Sequence, residues 1–122
     1  MFVVETDTTQ QLLVLSIAGA VTPNESQETL ARVREKLETM SPGFVVLVDF
    51  RWLQSMPAGS APFIAEIMDA LSAKGVSAVV RVMPDPHLDI GLNILSPFHY
   101  GRDVKLMTFE TLADAIQALA AD

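Results

Sequence analysis

Residues 44–75 read FVVLVDFRWLQSMPAGSAPFIAEIMDALSAKG, and the fold turns on this stretch. The run from Phe44 to Val48 is continuously apolar, the pattern of a central strand covered on both faces. Asp49 closes it. A loop over 51–60 follows, after which Phe63, Ile64, Ile67, Met68 and Leu71 recur at helical spacing. Their apolar face stops at Lys74 and Gly75, a basic last turn and a glycine suited to the left-handed C′ position. Strand, loop and helix in that order form half of an α/β unit, and a second apolar run over 76–82 supplies the next strand.

Working upstream, the β-rich runs 2–5 and 12–18 flank a polar segment and read as a strand pair, which Gly19 interrupts. Thr22, Pro23 and Glu25 then supply an N-cap, a first-turn proline and a carboxylate able to return to the cap's N–H. Leu30, Val33, Leu37 and Met40 give this first helix one buried stripe, while Glu28, Arg32, Arg34, Glu35, Lys36 and Glu38 fill its wet face. Ser41, Pro42 and Gly43 end it. Downstream, Asp85 and Pro86 open a short helix through about Leu95, 96–103 is irregular and 104–107 is a last strand. Thr111 caps a final helix with Leu112, Ala115, Ile116 and Leu119 on its inner face. The expectation is an α/β fold in one domain over 1–122, with strands 44–48 and 76–82 parallel and adjacent in the middle of a mixed sheet.

Composition narrows the function. The chain has 122 residues, half of them apolar, with no apolar run of the roughly 20 residues that cross a bilayer. Its start carries no secretory pattern and it contains no cysteine, so a cytoplasmic protein without disulfides, thiol catalysis or thiolate metal sites is expected. Net charge is −7 and the eight basic residues are scattered, which repels polyanions and argues against a nucleic-acid partner or membrane insertion. No nucleophile elbow, Walker loop, dinucleotide fingerprint or zinc motif is present, so neither enzyme activity nor a cofactor is expected.

The order of elements and three local phrases, VVLVDFRWLQSM, AKGVSAVVRV and FETLADAI, resemble the STAS domain family. That family includes bacterial anti-sigma-factor antagonists and the cytoplasmic domains of sulfate transporters. The resemblance covers nearly the whole chain. It implies a SpoIIAA-like fold of about five strands and four α-helices, and a non-enzymatic regulatory module that docks to a protein such as an anti-sigma factor. It also implies a phosphorylatable serine at the start of the second helix, within Asp-Ser-Ser-Gly. Counted from Asp49, that tetrad falls on Pro57, Ala58, Gly59 and Ser60, so Ala58 stands where the target serine is expected. Phosphorylation would add nearly two negative charges there, and alanine has no oxygen to accept them. Ser60, ahead of Ala61 and Pro62, reads as the N-cap of the second helix.

Two regions carry candidate sites. The first, a partner-binding surface, comprises Asp49, Arg51, Trp52, Met56, Ala58, Gly59 and Ser60. Asp49 and Arg51 read either as a charged pair at the carboxyl end of a parallel strand or as a turn held by a carboxylate accepting loop N–H groups. Trp52 and Met56 either anchor a partner or fold back on the core. The second region, PDPHLDIGLNILSPFHYGRD over 84–103, offers His87, Gly91, Phe98, His99 and Tyr100 as a ligand pocket. It supports the alternative of a small-molecule or lipid-binding domain with an apolar pocket between the second and third helices. His87 and Asp89 lie two apart on a helix and point to different faces, so with His99 they make no metal site. Monomer and homodimer both remain open.

Overall fold

A computed structural model describes residues 1–55, 58–83 and 103–120. Its elements run β1 (Phe2–Asp7), β2 (Leu12–Ala20), α1 (Pro23–Leu37), β3 (Val45–Ser55), a 3₁₀ turn (Ala58–Ser60), α2 (Ala61–Lys74), β4 (Ala78–Val82), β5 (Lys105–Phe109) and α3 (Leu112–Ala120). The five strands form one sheet in sequence order. β1 pairs antiparallel with β2, and β2 to β5 are mutually parallel, so the two apolar runs 44–48 and 76–82 do lie side by side as β3 and β4.

The local signals explain these boundaries. Thr22 Oγ1 accepts the Glu25 N–H at 3.1 Å and starts α1. The Glu25 carboxylate does not return to the cap as expected, and instead accepts from the amino group of Met1. Leu30, Val33, Leu37 and Met40 are buried, as the helical spacing requires. Gly75 ends α2 at φ +93°, and its missing Cβ would sit 3.0 Å from Pro42 Cβ, so backbone conformation and close approach both demand glycine. Thr111 Oγ1 accepts the Asp114 N–H at 3.2 Å and caps α3.

α1 and α2 cover one face of the sheet. Their inner residues join Leu13, Phe44, Val46 and Val79, all fully buried, in the larger core cluster. α3 lies on the opposite face against β4 and β5, where Leu47, Val80, Val82 and Ala115 form a smaller cluster.

Three expectations need revision. β3 does not end at Asp49 but runs to Ser55, because β2 continues through Gly19 and offers it a partner. The pairing slips twice, between Ser16 and Ala18 and between Gly19 and Ala20, and at each slip β3 contributes one more residue than β2. Gly19 holds φ +75° there, so it bends β2 instead of ending it. Ile116, expected inside, is 50% exposed on the flank of α3. Three α-helices are present among the described residues; the expected helix from Asp85 to about Leu95 lies outside them.

Candidate functional site

β3 changes character at Asp49. Up to that residue it is flanked by β2 and β4, and Asp49 itself stands opposite Ser16 on one side and Val82 on the other. Beyond it, among the described residues, only β2 accompanies the strand. A carboxylate buried in this position needs strong partners. Arg51 supplies them: its backbone N–H donates to Asp49 Oδ1 at 2.9 Å, Nε donates to Oδ1 and Oδ2 at 3.0 and 3.1 Å, and Nη2 donates to Oδ2 at 2.9 Å. Both readings of Asp49 therefore hold together, since one carboxylate makes the ion pair and also accepts a backbone N–H. Hydrogen bonding to Asp49 raises the Arg51 pKa above its ordinary value, so the guanidinium stays protonated.

The guanidinium is thereby fixed beside Trp52, its Cζ lying 5.7 Å from the ring centroid. Trp52 is 67% exposed, so it does not fold back on the core as a lid. Leu53, the next residue, turns back into the larger core. A groove of about 280 Å³ opens beside the tryptophan, walled by Met1, Phe2 and Val3 of the first strand region, by Ser16, Ile17 and Ala18 of β2, and by Asp49 and Arg51. The β1 and β2 residues escaped sequence reading. Val3, 47% exposed on an edge strand, was legible only as one apolar residue among several.

The rest of the expected partner-binding set is arranged as follows. Met56 lies outside the described residues. Ala58, Gly59 and Ser60 form the 3₁₀ turn that opens α2, which puts Ala58 at the helix start, as the resemblance implied. Gly59 is exposed and packs near Pro23 of α1. Ser60 occupies the N-cap position but makes no cap hydrogen bond. Its hydroxyl is fully buried and donates to the Val21 carbonyl at 3.1 Å, pinning the start of α2 to the start of α1, so it belongs to the inside of the turn and not to a docking surface. His87, Gly91, Phe98, His99 and Tyr100, the expected pocket residues, all lie outside the described residues, as does Asp89.

A cavity of about 30 Å³ lies between α2 and the sheet, lined by Ile64, Ile67, Met68 and Leu71 of the helix and by Val48, Phe50 and Arg81 beneath it. Arg81 is buried and donates from Nε and Nη2 to Thr108 Oγ1 at 3.1 and 2.7 Å, tying β4 to β5. No cluster of three or more metal-binding side chains occurs among the described residues.

Solved structures share this arrangement. An uncharacterised protein of the DUF3478 family with a SpoIIAA-like fold, from Shewanella loihica PV-4, superposes with a TM-score of 0.72 at 17% identity, over 98% of this chain and 92% of that one. The unphosphorylated form of the anti-sigma factor antagonist SpoIIAA gives 0.68 at 17% identity over the full length of both chains. The fold is SpoIIAA-like. An anti-sigma factor antagonist from Mycobacterium paratuberculosis shares it as well, with a TM-score of 0.63 at 18% identity over 98% of this chain and 93% of the other. The sequence itself matches no protein-family model and no curated protein. Among the described residues of this SpoIIAA-like chain, no helix is long and apolar enough to cross a membrane.

Proposed function

We propose that this chain is a non-enzymatic regulatory module of the STAS type, acting as one domain in the cytoplasm and docking to a regulatory protein partner such as an anti-sigma factor. The observation that carries this reading is Trp52. A large aromatic side chain is held out in solvent by a backbone pinned on both sides, with Arg51 locked on Asp49 before it and Leu53 in the core after it. Such an anchor loses little further freedom on binding, which favours affinity. The SpoIIAA-like fold supports the assignment, since it is shared with anti-sigma factor antagonists. The docking surface comprises Arg51, Trp52, Met56, Ala58 and Gly59, with Asp49 and Ser60 holding it from behind. SpoIIAA is known in phosphorylated and unphosphorylated forms; in this chain Ala58 at the helix start and the buried Ser60 hydroxyl leave no accessible serine in that turn. The module would therefore bind its partner without a serine switch at this position.

Immobilised wild-type protein and Trp52→Ala, each exposed to host lysate and analysed by mass spectrometry, test the reading. A regulatory protein retained by the first and lost by the second is expected, with affinity lowered by about 2 kcal/mol. Equal retention by both would remove Trp52 from the interface. In the same extract with ATP, intact mass should show no phosphate on Ser60. The ligand-binding alternative is less favoured, because the solved structures that share the fold include anti-sigma factor antagonists, while its expected pocket residues lie outside the described residues.

A further inference from the structure

Among the described residues, the two faces of the sheet are unequally covered. Five strands spaced about 4.8 Å apart span about 19 Å, room for two helices packed 8–10 Å apart on each face. One face carries two, α1 and α2. Among the described residues the other carries α3 alone, set against β4 and β5. On that face, β1 to β3 present Leu12, Val14 and Val45, which are only half-buried, and Val3, which is exposed. The register places Val3 beside Ser16, Glu5 beside Val14 and Asp7 beside Leu12, so Glu5 and Asp7 form an acidic margin to this apolar strip. Both are exposed. Ile116 borders the strip from the opposite side. With right-handed crossovers and α3 running back against β5, the rotation of about 100° per residue carries Ile116 from the Ala115 face toward β3. Val3, Trp52 and Ile116 are three of the four exposed large hydrophobic residues described, and all three frame this one strip.

We propose that the strip over β1 to β3 is a second docking site, which receives one amphipathic helix of a partner protein with an apolar stripe and a basic flank. Among the described residues, the width beside α3 is that of a single helix. The occupant's basic flank faces Glu5 and Asp7, two exposed carboxylates on a chain of net charge −7. The same acidic margin disfavours a second copy of this acidic chain. This site adjoins the Trp52 surface at Val3, but its acidic margin, Glu5 and Asp7, lies toward the other end of β1 beside Val14 and Leu12.

The test uses ¹⁵N-labelled protein titrated with a synthetic Leu/Lys peptide of about 14 residues, long enough for about 21 Å of helix. Saturable shifts confined to β1, β2, the Val45 end of β3 and the Ile116 flank of α3 are expected, with no binding of the matching Leu/Glu peptide. Glu5→Lys with Asp7→Lys should weaken the Leu/Lys peptide at least about tenfold, and Val3→Asp with Ile116→Asp should abolish binding; thermal melts check that these surface variants stay folded. Capture of the partner through Trp52 should survive Glu5→Lys with Asp7→Lys, so the two sites can fail separately. Shifts on the α1/α2 face, indifference to peptide charge, or a sedimenting dimer broken by Val3→Asp would overturn the proposal.

Discussion

The two halves of β3 make a controlled comparison, since one continuous strand is buried from Val46 to Phe50 and largely exposed from Arg51 onward, with Leu53 the buried exception. In the first half, Val46 sits in register between Leu13 and Val79, and all three side chains are fully buried. In the second half, β4 has ended, the pairing with β2 has slipped, and Arg51, Trp52 and Gln54 reach solvent while Leu53 stays inside. A strand that outlasts one neighbour keeps the rigidity of the sheet through its pairing with the other. It can therefore hold a large side chain in water more firmly than a loop could.

Breaking the first half should have the largest effect. Val46→Asp puts an unpaired charge among dry neighbours and should cost at least about 4 kcal/mol, leaving a chain without a cooperative thermal transition by circular dichroism. At the junction, Asp49→Ala removes the acceptor of the Arg51 N–H and of its guanidinium. A loss of about 2 kcal/mol in urea denaturation is expected, together with a red-shifted and more mobile Trp52 emission as its neighbour is released. Gly19→Ala, which forces a side chain onto φ +75° where β2 bends, should cost about 1 kcal/mol; an unchanged urea midpoint would show that the bend is not needed. Trp52→Ala should change stability by less than about 0.5 kcal/mol, and a larger loss would place the ring in the core after all.

Much of this was legible because it rests on local chemistry. The Thr22 cap, the stripe through Leu30, Val33 and Leu37, the glycine after Lys74 and the Thr111 cap each act within a few residues, and each is realised. The end of β3 was not legible. Alternation is the sign of a strand, and the first bulge erases it by placing Arg51 and Trp52 consecutively in solvent, so the segment reads as a loop. Ser60 shows a different limit. A serine ahead of Ala-Pro marks a helix start correctly, but whether its hydroxyl turns to its own helix or to the Val21 carbonyl depends on the segment just ahead of α1, thirty-nine positions earlier. The exposed Ile116 has a similar cause, since helical spacing finds the stripe through Ala115 and says nothing of how far the neighbouring layer extends.

The strictly sequential strand order has a consequence for how the chain is built. Every strand pairs with its immediate predecessor, so no strand must be inserted between two already in place. The sheet can grow at one margin as the polypeptide emerges from the ribosome, with each crossover helix sealing the strand just laid down. In such a process the free margin moves steadily from β2 to β5, while β1 stays outermost throughout. Assembly would start with the hairpin of β1 and β2, whose register is set by six consecutive pairs before any helix has formed.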